Sequence, residues 1–125
     1  MKYGVYLSSV GEYSSAGLLA ELAWEAEEIG WDGVFICDQI ARPCAAADPW
    51  IALTAMALNT KRIKLGPIVT PVARRRPWKL ARETVTLDHL SKGRLILGVG
   101  LGWGNVEFET FGEESDPRLR AQKLD

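Results

Sequence analysis

Gly33-Val34-Phe35-Ile36-Cys37-Asp38 is an uninterrupted apolar run of strand length that stops on a carboxylate. Nothing polar alternates within it, so both faces of the strand are expected to be buried, as in a parallel sheet covered by helices. On its N-terminal side, Leu18, Leu22, Ala26 and Ile29 recur at helical spacing, and Glu21, Glu25 and Glu28 take another face. Ser14 or Ser15 supplies an N-cap for that helix and Gly30 a C-cap. Before it stands a short β-rich run, Tyr3 to Leu7. On the C-terminal side, a loop over 41–47 leads to Asp48-Pro49, an N-cap followed by a first-turn proline. Trp50 to Leu58 is apolar nearly all round, which predicts a buried helix closed by Asn59. Ile63 to Val69 reads as a third strand, with a bulge or bend at Pro67, because proline cannot donate to a central ladder. Pro77 opens a third helix with Leu80, Ala81, Thr84, Leu87 and Leu90 facing inward. After the turn Ser91-Lys92-Gly93, residues 94–99 form a fourth strand, 100–116 a long loop, and 117–125 the first turns of a fourth helix.

Strand and helix alternate in units of about thirty residues, which predicts an α/β fold of parallel βα units. A complete TIM (β/α)8 barrel takes about 250 residues. The 125 residues here therefore read as one domain, 1–125, carrying four strands or about half a barrel. Hydrophobic residues at 47% and charged residues at 25% exclude disorder for most of the chain. The net charge of −1 argues against nucleic acid or an anionic membrane as a partner. Cys37 and Cys44 are too few for a disulfide scaffold and match no zinc spacing, so they read as reduced thiols of a cytoplasmic protein. The apolar stretch at the N-terminus is too short for a signal peptide, and no segment is long enough to span a bilayer. The single histidine, His89, excludes a two-histidine metal site and falls within the third helix, in a structural or surface position.

Several blocks are familiar in order and spacing. Residues 26–38, Leu65-Gly66-Pro67-Ile68-Val69-Thr70 with Arg75-Arg76-Pro77, and Leu87-Asp88-His89-Leu90-Ser91-Lys92-Gly93-Arg94 are three of them. Leu97-Gly98-Val99-Gly100-Leu101-Gly102-Trp103 and Glu107-Phe108-Glu109-Thr110-Phe111-Gly112 follow. Together they resemble the N-terminal half of the luciferase-like monooxygenase family. The resemblance implies a TIM-barrel oxidoreductase or monooxygenase that uses reduced FMN, or alternatively a deazaflavin, on a small organic substrate. It also implies a backbone bulge at Ile68-Val69-Thr70, often with a cis non-proline peptide, that supports the flavin ring. The cofactor phosphate is expected near strands seven and eight, beyond these four.

The cofactor-binding candidates are Asp38, Ile68, Val69, Thr70, Gly100 and Gly102; no catalytic residue is assigned and no metal is expected. Asp38 ends a barrel strand at the rim where such enzymes carry their chemistry, and equally it fits as a cap on the following loop. Family members often have Asp-His there. This chain has Asp38-Gln39, and glutamine hydrogen-bonds a ring but exchanges no protons near neutral pH. Ile68 to Thr70 reads as a flavin shelf or as an ordinary strand end. Gly98-Val99-Gly100-Leu101-Gly102 fails the dinucleotide fingerprint, since Trp103 stands where a glycine is needed. Its glycines give a ligand access to the backbone, or simply turn a barrel corner. Arg74-Arg75-Arg76 reads as a solvated loop, as do Glu107 and its acidic neighbours; Trp31, Trp50 and Trp78 read as packing anchors.

Two functions compete: a flavin-dependent oxidoreductase, and a catalytically incomplete half-barrel that acts only as a folding or self-assembly module. Four strands leave two unpaired edges and an open apolar face, which predicts a homodimer or larger even oligomer.

Overall fold

The computed structural model describes residues 1–104 and 106–124. The short apolar runs become β1 (Gly4–Leu7), β2 (Gly33–Ile36) and β3 (Lys64–Pro67), a parallel sheet in that order with Val5, Val34 and Leu65 in register. Between them run α1 (Ala16–Glu28) and α2 (Pro49–Asn59), and α3 (Pro77–Ser91) follows. The caps are those expected: Ser15 accepts from the Leu18 N–H at 3.3 Å, and Asp48 accepts from Trp50 and Ile51, both at 3.0 Å. Among the described residues no helix is long and apolar enough to cross a membrane.

The core lies between the outer face of the sheet and the helices, built from Leu19, Ala23, Val34, Leu53, Met56 and Leu65. In α1 the inward stripe is Leu19, Ala23 and Ala26, one position round from the predicted Leu18 and Leu22, and Ile29 is exposed. Small residues on that stripe let α1 pack closely against α2. In α2, Ile51 and Leu58 face solvent, so the helix is buried on one side rather than all round. Of the three predicted anchors only Trp50 is buried; Trp31 and Trp78 lie at the surface.

The predicted fourth strand is broken. Leu95 bridges Leu65, and the pairing resumes where β4 (Thr70–Pro71) meets β5 (Val99–Gly100). The register offset is 30 residues at Leu65–Leu95 but 29 at Thr70–Val99, so the β3 side carries one extra residue. That is a β-bulge, and it disrupts the ladder locally. The Ile68–Val69 peptide within it is cis. The long loop also contains a short helix, α4 (Val106–Thr110), before α5 (Pro117–Leu124).

Two buried charges fasten the end of the fold opposite the bulge. The Arg94 guanidinium donates to the carbonyls of Ala57, Thr60, Ile63 and Ser91 and to Thr60 Oγ1, joining the ends of α2 and α3 to the start of β3. The Glu27 carboxylate accepts from the N–H groups of Lys61, Arg62 and Ile63. Burial raises the pKa of Glu27, but these bonds and the Arg62 charge outweigh it and hold the group below its ordinary value of 4.5. A depressed folded pKa stabilises the fold above the unfolded value, and that contribution is lost as pH falls through the folded one. Glu27→Gln is expected to cost about 1–3 kcal/mol at neutral pH, with the gap from the parent closing in acid. Urea unfolding of both chains at pH 7 and below pH 4.5 checks this; a gap independent of pH would remove the charged carboxylate from the account.

Candidate functional site at the C-terminal rim

β2 delivers Cys37, Asp38 and Gln39 to the rim, and the bulge delivers Ile68 and Val69. The turn after β5 brings Leu101, Gly102 and Trp103. With Tyr6, Pro71 and Glu107 these residues line a cleft of about 350 Å³. Ile68 and Val69 are 48% and 39% exposed, an apolar floor left open by the bulge. Thr70 lies beneath them, fully buried, and its hydroxyl has no partner among the described residues. Gly100 gives way to the floor: a Cβ there would lie 2.8 Å from Val69 Cγ2. At Gly102 it would meet the Phe108 ring at 2.9 Å, and the φ of +84° also favours glycine. Both glycines thus make room for the protein's own side chains at the site.

Asp38 lines the cleft, yet its carboxylate is turned away into a buried charge cluster. Arg74 Nη2 donates to Asp38 Oδ1 at 2.6 Å, and Arg75 Nη2 reaches both oxygens at 2.7 and 2.8 Å. Arg74 Nη1 donates to Glu107 Oε2, and Glu107 Oε1 accepts from Ile40 N at 2.7 Å and Ala41 N at 3.2 Å. The side chains of Asp38 and Arg74 are 0% and 4% exposed. Two arginines and two carboxylates balance, and they tie together the loops after β2, β4 and β5. Arg74, Arg75 and Glu107 were read from the sequence as solvated, since a run of like charges in a loop carries no mark of its distant partners. The nearest signal was Asp38 itself, a carboxylate closing a wholly apolar strand.

Tyr6 lines the cleft beside Cys37, and its hydroxyl is pushed up to about 12, by burial first and by the thiol second. It therefore keeps its proton through the neutral range and can serve as a hydrogen-bond donor. Sequence reasoning missed Tyr6, because β1 was too short for its faces to be told apart. His89 is exposed on α3, away from the cleft.

Residues 1–124 match the family model described as luciferase-like monooxygenase. The chain belongs to the luciferase-like monooxygenase family. An F420-dependent glucose-6-phosphate dehydrogenase of Amycolatopsis mediterranei is 38% identical over 101 residues, 77% of this chain and 30% of that protein. The coenzyme F420-dependent tetrahydromethanopterin reductase of Methanopyrus kandleri is 32% identical. It superposes with a TM-score of 0.77 over 89% of this chain and 30% of its own. The oxygenating constituent of 3,6-diketocamphane monooxygenase from Pseudomonas putida, solved with FMN, has a TM-score of 0.83 at 22% identity. It covers 99% of this chain and 38% of its own, a likeness of fold. The matched stretches span 30% of the curated dehydrogenase and 30% and 38% of the two solved structures, well under half of each. The α/β architecture with parallel strands is thus that of luciferase-like TIM barrels, of which the described residues form a part.

Proposed function

We propose that the rim cleft holds the ring of reduced FMN or of a deazaflavin and serves an oxidoreductase or monooxygenase acting on a small organic substrate. The observation that carries this reading is the exposed Ile68–Val69 floor at the bulge, walled by a rigid charge cluster. A flat ring needs an apolar face to lie on, and about 350 Å³ is at the lower end of small-molecule sites. The residues fit the ring; the phosphate, expected near strands seven and eight, falls outside these strands. The cofactor, when bound, supplies a hydride or activates oxygen. Ile68 and Val69 orient its ring, with Asp38, Gly100, Gly102 and Thr70 shaping the floor from behind. Tyr6 holds a proton at Oη, and Gln39 offers an amide where a proton-exchanging histidine is absent.

Titration with FMN, followed by flavin fluorescence, is expected to give saturable quenching. Val69→Asp should abolish it while leaving the circular dichroism unchanged. Absence of saturable binding by FMN and by F420 would overturn the reading.

A second reading, a self-assembly module without catalysis, is favoured by the inner face of the sheet. Tyr6 and Ile96, which alternate with the core-packed Val5, Leu7 and Leu95, are exposed there, and among the described residues β1 has one free edge. Two copies pairing residues 95–100 of each with β1 of the other would close an eight-stranded barrel with twofold symmetry. Light scattering on the titrated sample should then give an even oligomer, and a monomer would overturn the pairing.

A further inference from the structure

Asp38 and Glu107, the carboxylates of the cleft, are both matched by Arg74 and Arg75. One charge at the mouth is left over. Arg42, on the loop after β2, has no carboxylate within ion-pair distance among the described residues. Its Nε donates to Gln39 Oε1 at 3.2 Å, and its Cζ lies 6.0 Å from the centre of the Trp103 ring. Gln39 and Trp103 both line the cleft, which places this exposed side chain beside its mouth. Two more polar side chains of the cleft stand near it, Tyr6 and Gln39. Tyr6 keeps its O–H. Gln39 has its oxygen accepting from Arg42, and its NH2 donates to no group among the described residues. Trp103 is 84% exposed and stands between Gly102 and Gly104, both at positive φ, so one whole ring face is open at the same mouth.

We infer that the mouth of the cleft is a subsite for an organic anion. Its charged group is held by Arg42, Gln39 and Tyr6, and its flat apolar part lies against Trp103. The inference rests on the proposed function in taking this anion to be the substrate of the same cleft. The chemistry is that of a carboxylate or similar oxyanion, since a guanidinium without a carboxylate partner, beside the Gln39 amide and the Tyr6 hydroxyl, is complemented by an acceptor-rich, negatively charged group. A neutral analogue would leave the guanidinium uncompensated. A basic group would be repelled.

Benzoate and benzamide share a shape and differ in charge, so they separate the two contributions. Each is titrated into the 15N-labelled chain, following the Trp103 indole and Arg42 Nε signals. Benzoate is expected to shift both and to bind about tenfold or more tighter than benzamide, the scale of a charge-assisted hydrogen bond. Arg42→Gln should make the two probes equal, Arg42→Lys should restore part of the preference, and Trp103→Leu should weaken both. Equal binding by the parent chain, a preference that survives Arg42→Gln, or shifts confined to the separate arginine-lined cleft that includes Arg76 and Lys123 would each overturn the subsite. FMN is titrated on the same sample. Benzoate preference without binding of FMN or of F420, titrated likewise, would overturn the redox reading and sustain the anion subsite, and binding of either cofactor without the preference would overturn the subsite alone.

Discussion

Arg74→Met is expected to destabilise the chain by about 3–5 kcal/mol, the cost of leaving buried charge without its partner. Arg74 is the member that touches both carboxylates. Without it, Glu107 retains only the N–H groups of Ile40 and Ala41, and Asp38 retains only Arg75. Domains of this size are stable by only about 5–15 kcal/mol, so the variant should sit near its unfolding limit. Arg74→Lys should recover little, because one ammonium cannot span two carboxylates as a planar fork does. Urea unfolding of the parent and both variants measures the effect. A loss below about 1 kcal/mol, the level of an exposed pair, would mean that the cluster is open to water.

Gly66→Ala should cost about 3 kcal/mol, at or above the upper end for overpacking. Its Cβ would stand 1.8 Å from the Ile96 carbonyl oxygen and 2.9 Å from the carbonyl carbon. Backbone cannot swing aside as a side-chain tip can, so the segment over 94–100 must move off β3. The Ile96 N–H, bonded to the Leu65 carbonyl at 2.8 Å, should then lose protection from hydrogen exchange before the β1–β2 amides do. Gly17→Ala is the control: its Cβ meets only Ser15 Oγ at 3.6 Å, and it should be neutral or stabilising by up to about 1 kcal/mol. Equal effects at the two positions would show that the close approach at Gly66 is relieved cheaply.

Those two variants probe parts of the molecule that were unequally legible beforehand. Ser15, Asp48-Pro49 and Gly30 marked helix ends correctly because a cap depends on residues within one turn. The apolar run at 33–37 revealed a buried parallel strand for the same local reason, and the family motifs located the bulge at Ile68–Val69. Glu27 and Arg94 could not be read in this way. Each looks like an ordinary surface charge until the chain brings the N–H groups of 61–63, or the carbonyls of 57–63, around it.

The alternation of elements, their caps and the apolar character of the sheet are short-range consequences of residue order, and they settle an α/β chain of parallel units without reference to anything distant. The charge cluster joining Asp38 to Arg74, Arg75 and Glu107, the one-residue register slip that exposes Ile68 and Val69, and the uncompensated Arg42 beside Trp103 exist only once three loops meet at one rim. Their partners lie some thirty to seventy residues apart along the chain, and an ion pair or a packed floor depends on distance in space, which periodicity along the sequence does not encode.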